Sequence, residues 1–517
     1  MRKSALIVLA LLAVTPLTTW QARADAPSDE LGLVETGPDA PADAEAIVAQ
    51  ARLAFSIADY SRAAELYGRA AQTIPEVQAR ARWTYRTLEA HSYYQQGRVQ
   101  GASGPLRQAA RLYREVVLPL APRTDRPEDW AATQNNLAVT LAALGQRGDS
   151  QELREAVEAY RAALEIRTRI AAPTQWAMTQ NNLGVALATL GERGDDGALR
   201  DSIVAYRAAL EVRTRDSTPT QWAATQNNLG TALQEIGRRG DLVALRESLV
   251  AYRAALEVRA RAIVPNEWAD TQNNLGNALK LLGQYTDDVA LLHESIAAFR
   301  AALEVRTRTA APADWAQTQS NLGSSLRALG ERGDAAAMGE AVIALRAALE
   351  VRTRDAAPGD WAETTANLAN VLFALGHGGD EQALMDAVAG YRSALEVYTR
   401  VATPSRWASL QSSLGNALRV LGERGDRDAL RAAVVALNAA LEVRTRESAP
   451  SDWAGTQFNL ALAYRAFLLR GEYEYRALAL DAAHAALAGY EQTRNAGGAA
   501  QVRSLISDVR ARGRQGE

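Results

Sequence analysis

The chain has 517 residues, with 57 basic and 60 acidic side chains, no cysteine and 48% hydrophobic residues. Near-balanced charge argues against a nucleic-acid binder, which usually carries a basic excess, and the lack of cysteine rules out a disulfide framework or a lipidated N-terminal thiol. Abundant Ala, Leu, Arg and Glu lean the composition towards helix.

The first residues read as a leader. Arg2 and Lys3 precede an apolar run from Ala5 to Val14, followed by Ala22-Arg23-Ala24, a small-x-small pattern that suits signal peptidase. The run is too short to cross a bilayer, so residues 1–24 are expected to be a secretory signal peptide cleaved after Ala24, with an uncleaved N-terminal anchor as the alternative. Removing its three cations leaves 54 basic against 60 acidic residues. The mature protein is therefore expected to be periplasmic or secreted. Residues 25–43 are acidic, contain proline and show no period, which predicts a disordered spacer.

Residues 44–121 predict two N-terminal units: a short helix pair over 44–75, then a degenerate pair over 76–121 containing Trp83 and Gly97. From there the text repeats. Trp130, Trp176, Trp222, Trp268, Trp315, Trp361, Trp407 and Trp453 are spaced by 46 residues, with one interval of 47, so residues 122–494 hold eight repeats. Self-similarity at such a period marks a stacked array. In the unit that begins at Pro173, proline opens a leading helix and Gly191 is expected to close it in a left-handed C-cap. Asp314, Asp360 and Asp452 place an acid in the first turn of other leading helices, where it favours the dipole.

At about 100° per residue, Trp176, Thr179, Leu183, Ala186, Leu187 and Leu190 share one side of the leading helix. Leu199, Ile203, Tyr206 and Leu210 do the same on the returning helix. One pair cannot bury both stripes, so each unit must lean on the next. Residues 495–517 are expected to supply a capping helix and a tail. The fold class is therefore all-α: a right-handed α-solenoid of stacked antiparallel helix pairs.

The phrases NNLGVALATLG and SIVAYRAAL resemble the tetratricopeptide pattern of Leu-Gly, a small residue, and then Ala-x-x-x-aromatic-x-x-Ala. The first unit fits the plain 34-residue form, with Ala63, Tyr67, Ala70 and Pro75 in place. Later units carry longer turns and look more like kinesin light chain repeats and their bacterial relatives, which share the Asn-Asn-Leu and Ala-Leu-Glu phrases. The resemblance implies a protein-binding scaffold whose leading helices line an inner groove.

The side opposite the packing stripe holds Met178, Asn181, Val185 and Ala188, with Asn182 on its shoulder. An Asn just before the Leu recurs at Asn136, Asn182, Asn228, Asn274, Asn321, Asn367 and Asn459, interrupted by Ser413. A side-chain amide complements a backbone peptide unit, so a ladder of amides suits an extended chain of any sequence. The resemblance supports this, because asparagines at this motif position bind peptide backbone in similar solenoids. The alternative is that the amides tie neighbouring helices together. The first Asn of each doublet (Asn135, Asn181, Asn227, Asn273) is expected to point more squarely outwards.

One turn further on, Lys280, Arg327, Arg419 and Arg465 give the later half of this face four cations. They would favour an acidic peptide or a free carboxylate, although Asp270 and Glu363 share the face, and a solvated polar face without function is the alternative. Arg207, Glu211 and Arg215 are expected to pair along their own helix at i, i+4. The Arg-Gly-Asp turns at 147–149, 193–195, 239–241, 332–334 and 424–426 are explained by a left-handed Gly and a capping Asp rather than by adhesion. His91, His293, His377 and His484 show no ligand spacing, and no phosphate loop or nucleophile elbow occurs. We therefore expect no enzyme and no cofactor, and a protein or extended-peptide partner. A structural spacer or self-assembling solenoid is the main rival, and a glycan-binding accessory a weaker one.

Overall fold

The computed structural model describes residues 42–148 and 150–512. The expected leader, the spacer up to residue 41 and the final five residues lie outside them. The described residues are helices joined by short turns, with no strand among them. They fall into two compact units, one reaching Ala278 and the other starting at Leu279. Each is an all-α repeat solenoid of packed helical hairpins. Among the described residues, no helix is long and apolar enough to cross a membrane.

The unit ending at Ala278 opens with the hairpin Ala42–Ser56 and Tyr60–Thr73, followed by Ala79–Gln100 and Ser103–Leu112. It continues with Pro127–Gly145 and Ser150–Leu164, Pro173–Glu192 and Asp196–Leu210, and Pro219–Arg238 and Leu242–Val258. The unit starting at Leu279 holds Val289–Leu303 and then four hairpins led by Pro312–Gly330, Pro358–His377, Pro404–Glu423 and Pro450–Leu468. Ala496–Arg512 closes it. There Val502, Leu505, Ile506 and Val509 are buried in one cluster with Phe467 and Tyr464, which covers an apolar face that would otherwise end in water.

Local chemistry sets the boundaries. Proline occupies the first helical position of the leading helices, where its missing N–H is not needed. In the preceding turn a threonine hydroxyl accepts from a backbone N–H, as Thr168 does from Ala171 at 3.1 Å. Gly191 is not a left-handed cap, as expected from the sequence: it lies inside Pro173–Glu192, and a Cβ there would sit 2.5 Å from Leu199 Cβ. It is glycine because the returning helix packs against its backbone. The left-handed residue is Gly194, with φ 104°.

The Arg-Gly-Asp turns act as expected, with an addition. Asp195 Oδ1 accepts from Ala198 N at 2.9 Å and so caps the returning helix. The arginine reaches back one repeat: Arg193 Nη2 donates to Gly145 O at 2.6 Å, Arg239 Nη2 to Gly191 O at 2.7 Å and Arg424 Nη2 to Gly376 O at 2.5 Å. Each adds a second donor to a C-terminal carbonyl that already accepts from the N–H of the glycine in its own turn. One tripeptide thus turns the chain, starts a helix and clamps the previous repeat.

The outer ion pairs overturn the i, i+4 expectation. Arg207 pairs with Glu247 at 2.7 Å, Arg215 with Glu257 at 2.7 Å and Glu211 with Arg169. The ladder crosses repeats rather than running along one helix, because long side chains on a returning helix and on the turn after it reach the charged row of the next repeat.

Candidate functional site

The packing stripe sits where the helical wheel placed it: Thr179, Leu183, Ala186, Leu187 and Leu190 are buried, and Trp176 is half-buried. Arginines from the turns cover several tryptophans, with Arg123 5.1 Å from the Trp130 ring centroid and Arg354 5.7 Å from Trp361.

The opposite face is less open than one helix suggests. Met178 and Ala188 are buried, because the leading helices of adjacent repeats also touch one another. The first Asn of the doublet does not point outwards: Asn135 is 4% exposed, and Asn227 and Asn273 are buried too. It accepts hydrogen bonds from the next repeat, Asn135 Oδ1 from Thr179 Oγ1 at 3.2 Å and Asn181 Oδ1 from Thr225 Oγ1 at 3.2 Å.

Those threonines belong to a seam that sequence reasoning missed. Arg167 Nη1 donates to Thr179 Oγ1 at 3.1 Å, Arg213 to Thr225 at 3.1 Å, Arg306 to Thr318 at 2.8 Å, Arg352 to Thr364 at 3.0 Å and Arg444 to Thr456 at 3.1 Å. The signal was present, because an Arg and a Thr recur at a constant separation of 12. The guanidinium, buried at Arg306, Arg352 and Arg444, donates to hydroxyls and, at Arg352, to the side-chain amide of Gln317.

The second Asn of each doublet is divided between exposure and tie. Asn136, Asn182, Asn228 and Asn274 in one unit, and Asn321 and Asn367 in the other, are half-buried, whereas Asn459 is buried. Asn228 Nδ2 donates to Asn181 Oδ1 at 3.4 Å, and Asn274 Nδ2 to Asn227 Oδ1 at 3.3 Å. Asn136 Oδ1 and Asn182 Oδ1 accept from the preceding Asn at 3.4 Å. Asn321 Oδ1 accepts from Gln317 at 3.1 Å. The Nδ2 of Asn182 and the Oδ1 of Asn459 are sealed from solvent with no partner among the described residues.

The four cations do not form a solvated basic surface. Lys280 and Arg419 are each only 7% exposed. Arg327 pairs with Glu331, Arg419 with Glu423 at 2.5 Å and with Asn416 Oδ1 at 2.8 Å, and Arg465 with Asp508 of the closing helix at 2.5 Å. Carboxylates one turn on, or from the closing helix, offset most of the positive charge that the sequence offered to an acidic guest.

Two carboxyls on leading helices, one in each unit, hold their protons more tightly than usual. Burial pushes Glu363 up to about 7, against the pull of Arg352 and Arg406. Burial and the neighbouring Glu235 push Glu192 up to about 7, against Arg238 and Arg193. Their acidity follows from enclosure, since an ionised carboxylate loses hydration there. Burial likewise lowers His91, stacked between Phe55 and Tyr94, to about 4.

The tetratricopeptide repeat family model matches residues 130–170, 268–308 and 315–351. Among solved structures, the chain is similar to the apo form of RapI at 13% identity, covering 84% of this chain and 99% of that one, with a TM-score of 0.47. It is similar to the human IFIT1 dimer with PPP-AAAA at 13% identity, 89% of both chains and a TM-score of 0.42. BtubC from P. vanneervenii matches at 21% identity over 51% of this chain and 93% of that one, with a TM-score of 0.33. No curated protein matches the chain.

Proposed function

We propose that this chain, a protein of tetratricopeptide repeats, is an exported scaffold that holds a polypeptide partner against the leading helices of its repeats. The observation that supports it most is the repeated half-burial of Asn136, Asn182, Asn228 and Asn274 at one position of successive leading helices. Amides held in register offer alternating donors and acceptors to an extended backbone, and the seam of arginine, threonine and the first asparagine beneath them limits their freedom before binding, which lowers the cost of association. Export rests on the sequence of residues 1–24, and a periplasmic or secreted location goes with it.

A second function has its own support. The bonds Asn228–Asn181 and Asn274–Asn227 are ties between repeats, as a structural spacer or self-assembling solenoid would need. Crosslinking in the native compartment, with light scattering on the purified chain, separates the two. A monomer that attaches to a defined partner supports the scaffold, and loss of that attachment on Asn-to-Ala change at Asn136, Asn182, Asn228 and Asn274 places it on the ladder. Self-association with unchanged crosslinks in the variant would refute it.

A further inference from the structure

In a chain built from repeats, each unit is a control for the others, and among the seams that join one of the eight tryptophan-headed repeats to the next, one breaks the rule. In the two seams that flank this one, the second nitrogen of the seam arginine serves the leading helix of the preceding repeat: Arg352 Nη2 donates to Gln317 Oε1, and Arg444 Nη2 to Ser409 Oγ at 2.8 Å. The residue in the same place between these two is Glu363, and the seam residue that would serve it is not arginine but Tyr398. The threonine partner has changed as well, to Leu410. Tyr398 turns elsewhere, and its hydroxyl donates to Gly359 O at 2.8 Å.

The repeat has thus removed a donor and placed its strongest acceptor at the same point. Glu363 is 9% exposed, and among the described residues none donates a hydrogen bond to its carboxylate. The charged groups around it have other engagements. Arg352 is bonded to Thr364 and Gln317 and lies 4.0 Å from Asp360. Arg406 Nη1 donates to Tyr398 Oη at 3.0 Å, and its guanidinium lies over that ring. Lys280 is a weaker neighbour. A carboxylate this far buried with only solvent to donate to it is costly to keep, and in the two flanking seams the residue at its place is met by the planar fork of an arginine from within.

We propose that Glu363 is a receptor for the guanidinium group of an arginine side chain on the bound polypeptide, which takes the place of the missing seam arginine. This rests on the leading-helix face being the partner face, and it reverses the acidic guest that the sequence suggested. Recognition requires the ionised carboxylate, so it fades as pH falls through about 7, with Arg352, Arg406 and Lys280 resisting protonation and Asp360 favouring it.

The test uses the full chain with two probes, L-arginine amide and L-citrulline amide, which differ in charge and donor number but hardly in shape. Thermal shift and calorimetry at pH 8 should show arginine amide bound roughly tenfold more tightly, in line with a hydrogen bond to a charged group. Glu363→Gln should abolish the difference. Tyr398→Arg with Leu410→Thr should abolish it too, by supplying the donor internally, and keeps the test valid where Glu363→Gln fails to fold. Equal binding of the two probes by the wild-type chain, or a preference that survives these changes, would overturn the proposal. Asn-to-Ala changes at Asn136, Asn182, Asn228 and Asn274 should leave the arginine response intact, so failure of the ladder and failure of this receptor are read separately.

Discussion

Changing Asn181 and Asn182 singly to alanine separates tie from ladder. Asn181 Oδ1 accepts from Thr225 Oγ1 at 3.2 Å and from Asn228 Nδ2 at 3.4 Å, both from the next repeat, and Asn181 Nδ2 donates to Asn182 Oδ1 at 3.4 Å. Each net hydrogen bond contributes about 0.5–1.5 kcal/mol, and the buried Thr225 would lose one of its partners. The expected loss for Asn181→Ala is about 2–3 kcal/mol. Asn182→Ala removes one long bond, and with it an Nδ2 that is sealed without a partner, so the expected change is under about 1 kcal/mol. Urea denaturation followed by circular dichroism measures both, with midpoints compared because arrays need not unfold in two states. Equal losses for the two variants would refute the division of labour within the doublet, and a larger loss for Asn182→Ala would reverse it.

Other perturbations probe the packing and the buried carboxyls. Gly230→Ala puts a Cβ 2.8 Å from Tyr252 Cε1 and should cost about 1–3 kcal/mol by overpacking; Gly240→Ala, in open space at φ 104°, should cost only about 1 kcal/mol of backbone strain. Arg239→Ala removes the bond to Gly191 O and the pair with Asp196. Because the side chain is about one-third exposed, about 1–2 kcal/mol is expected in the same denaturation assay. Burial raises the pKa of Glu363 and Glu192 from 4.5 to about 7, so the folded chain holds their protons more tightly than the unfolded chain. Their stabilisation is fully present below about pH 4.5 and is lost as pH rises through 7. Glu363→Gln should therefore flatten the dependence of the melting temperature on pH between about 4.5 and 7, and an unchanged slope would contradict its burial.

The architecture was legible because it is written in a period. The tryptophan spacing, the prolines at helix starts and the apolar stripes each depend on one helix or one hairpin, and such local signals survive in sequence. The face assigned to binding was harder, because its exposure depends on the next repeat. A helical wheel placed Asn135 outwards, whereas Thr179 of the following leading helix meets it. The outer charges failed for the same reason: Arg207 and Glu211 have partners on their own helix at i, i+4, but Glu247 and Arg169 lie closer across the repeat boundary. Gly191 shows a third kind of error, in which a glycine near a helix end was assigned to backbone conformation although close approach by Leu199 required it.

What periodicity hides, departures from it expose. A residue that recurs in every unit is under the common demand of stacking, so recurrence alone cannot separate a tie from a ligand site, and the asparagine ladder shows both. A residue that breaks the pattern answers to something local. Tyr398 and Leu410 replace an Arg–Thr pair together, and that alone would be a neutral exchange of a polar tie for an apolar one. Glu363 makes it something else, because an ionisable acceptor stands where the exchange has just removed the donor. Stacking gains nothing from an enclosed carboxylate in that state. Its presence therefore points outside the stack, to a group that arrives with the guest.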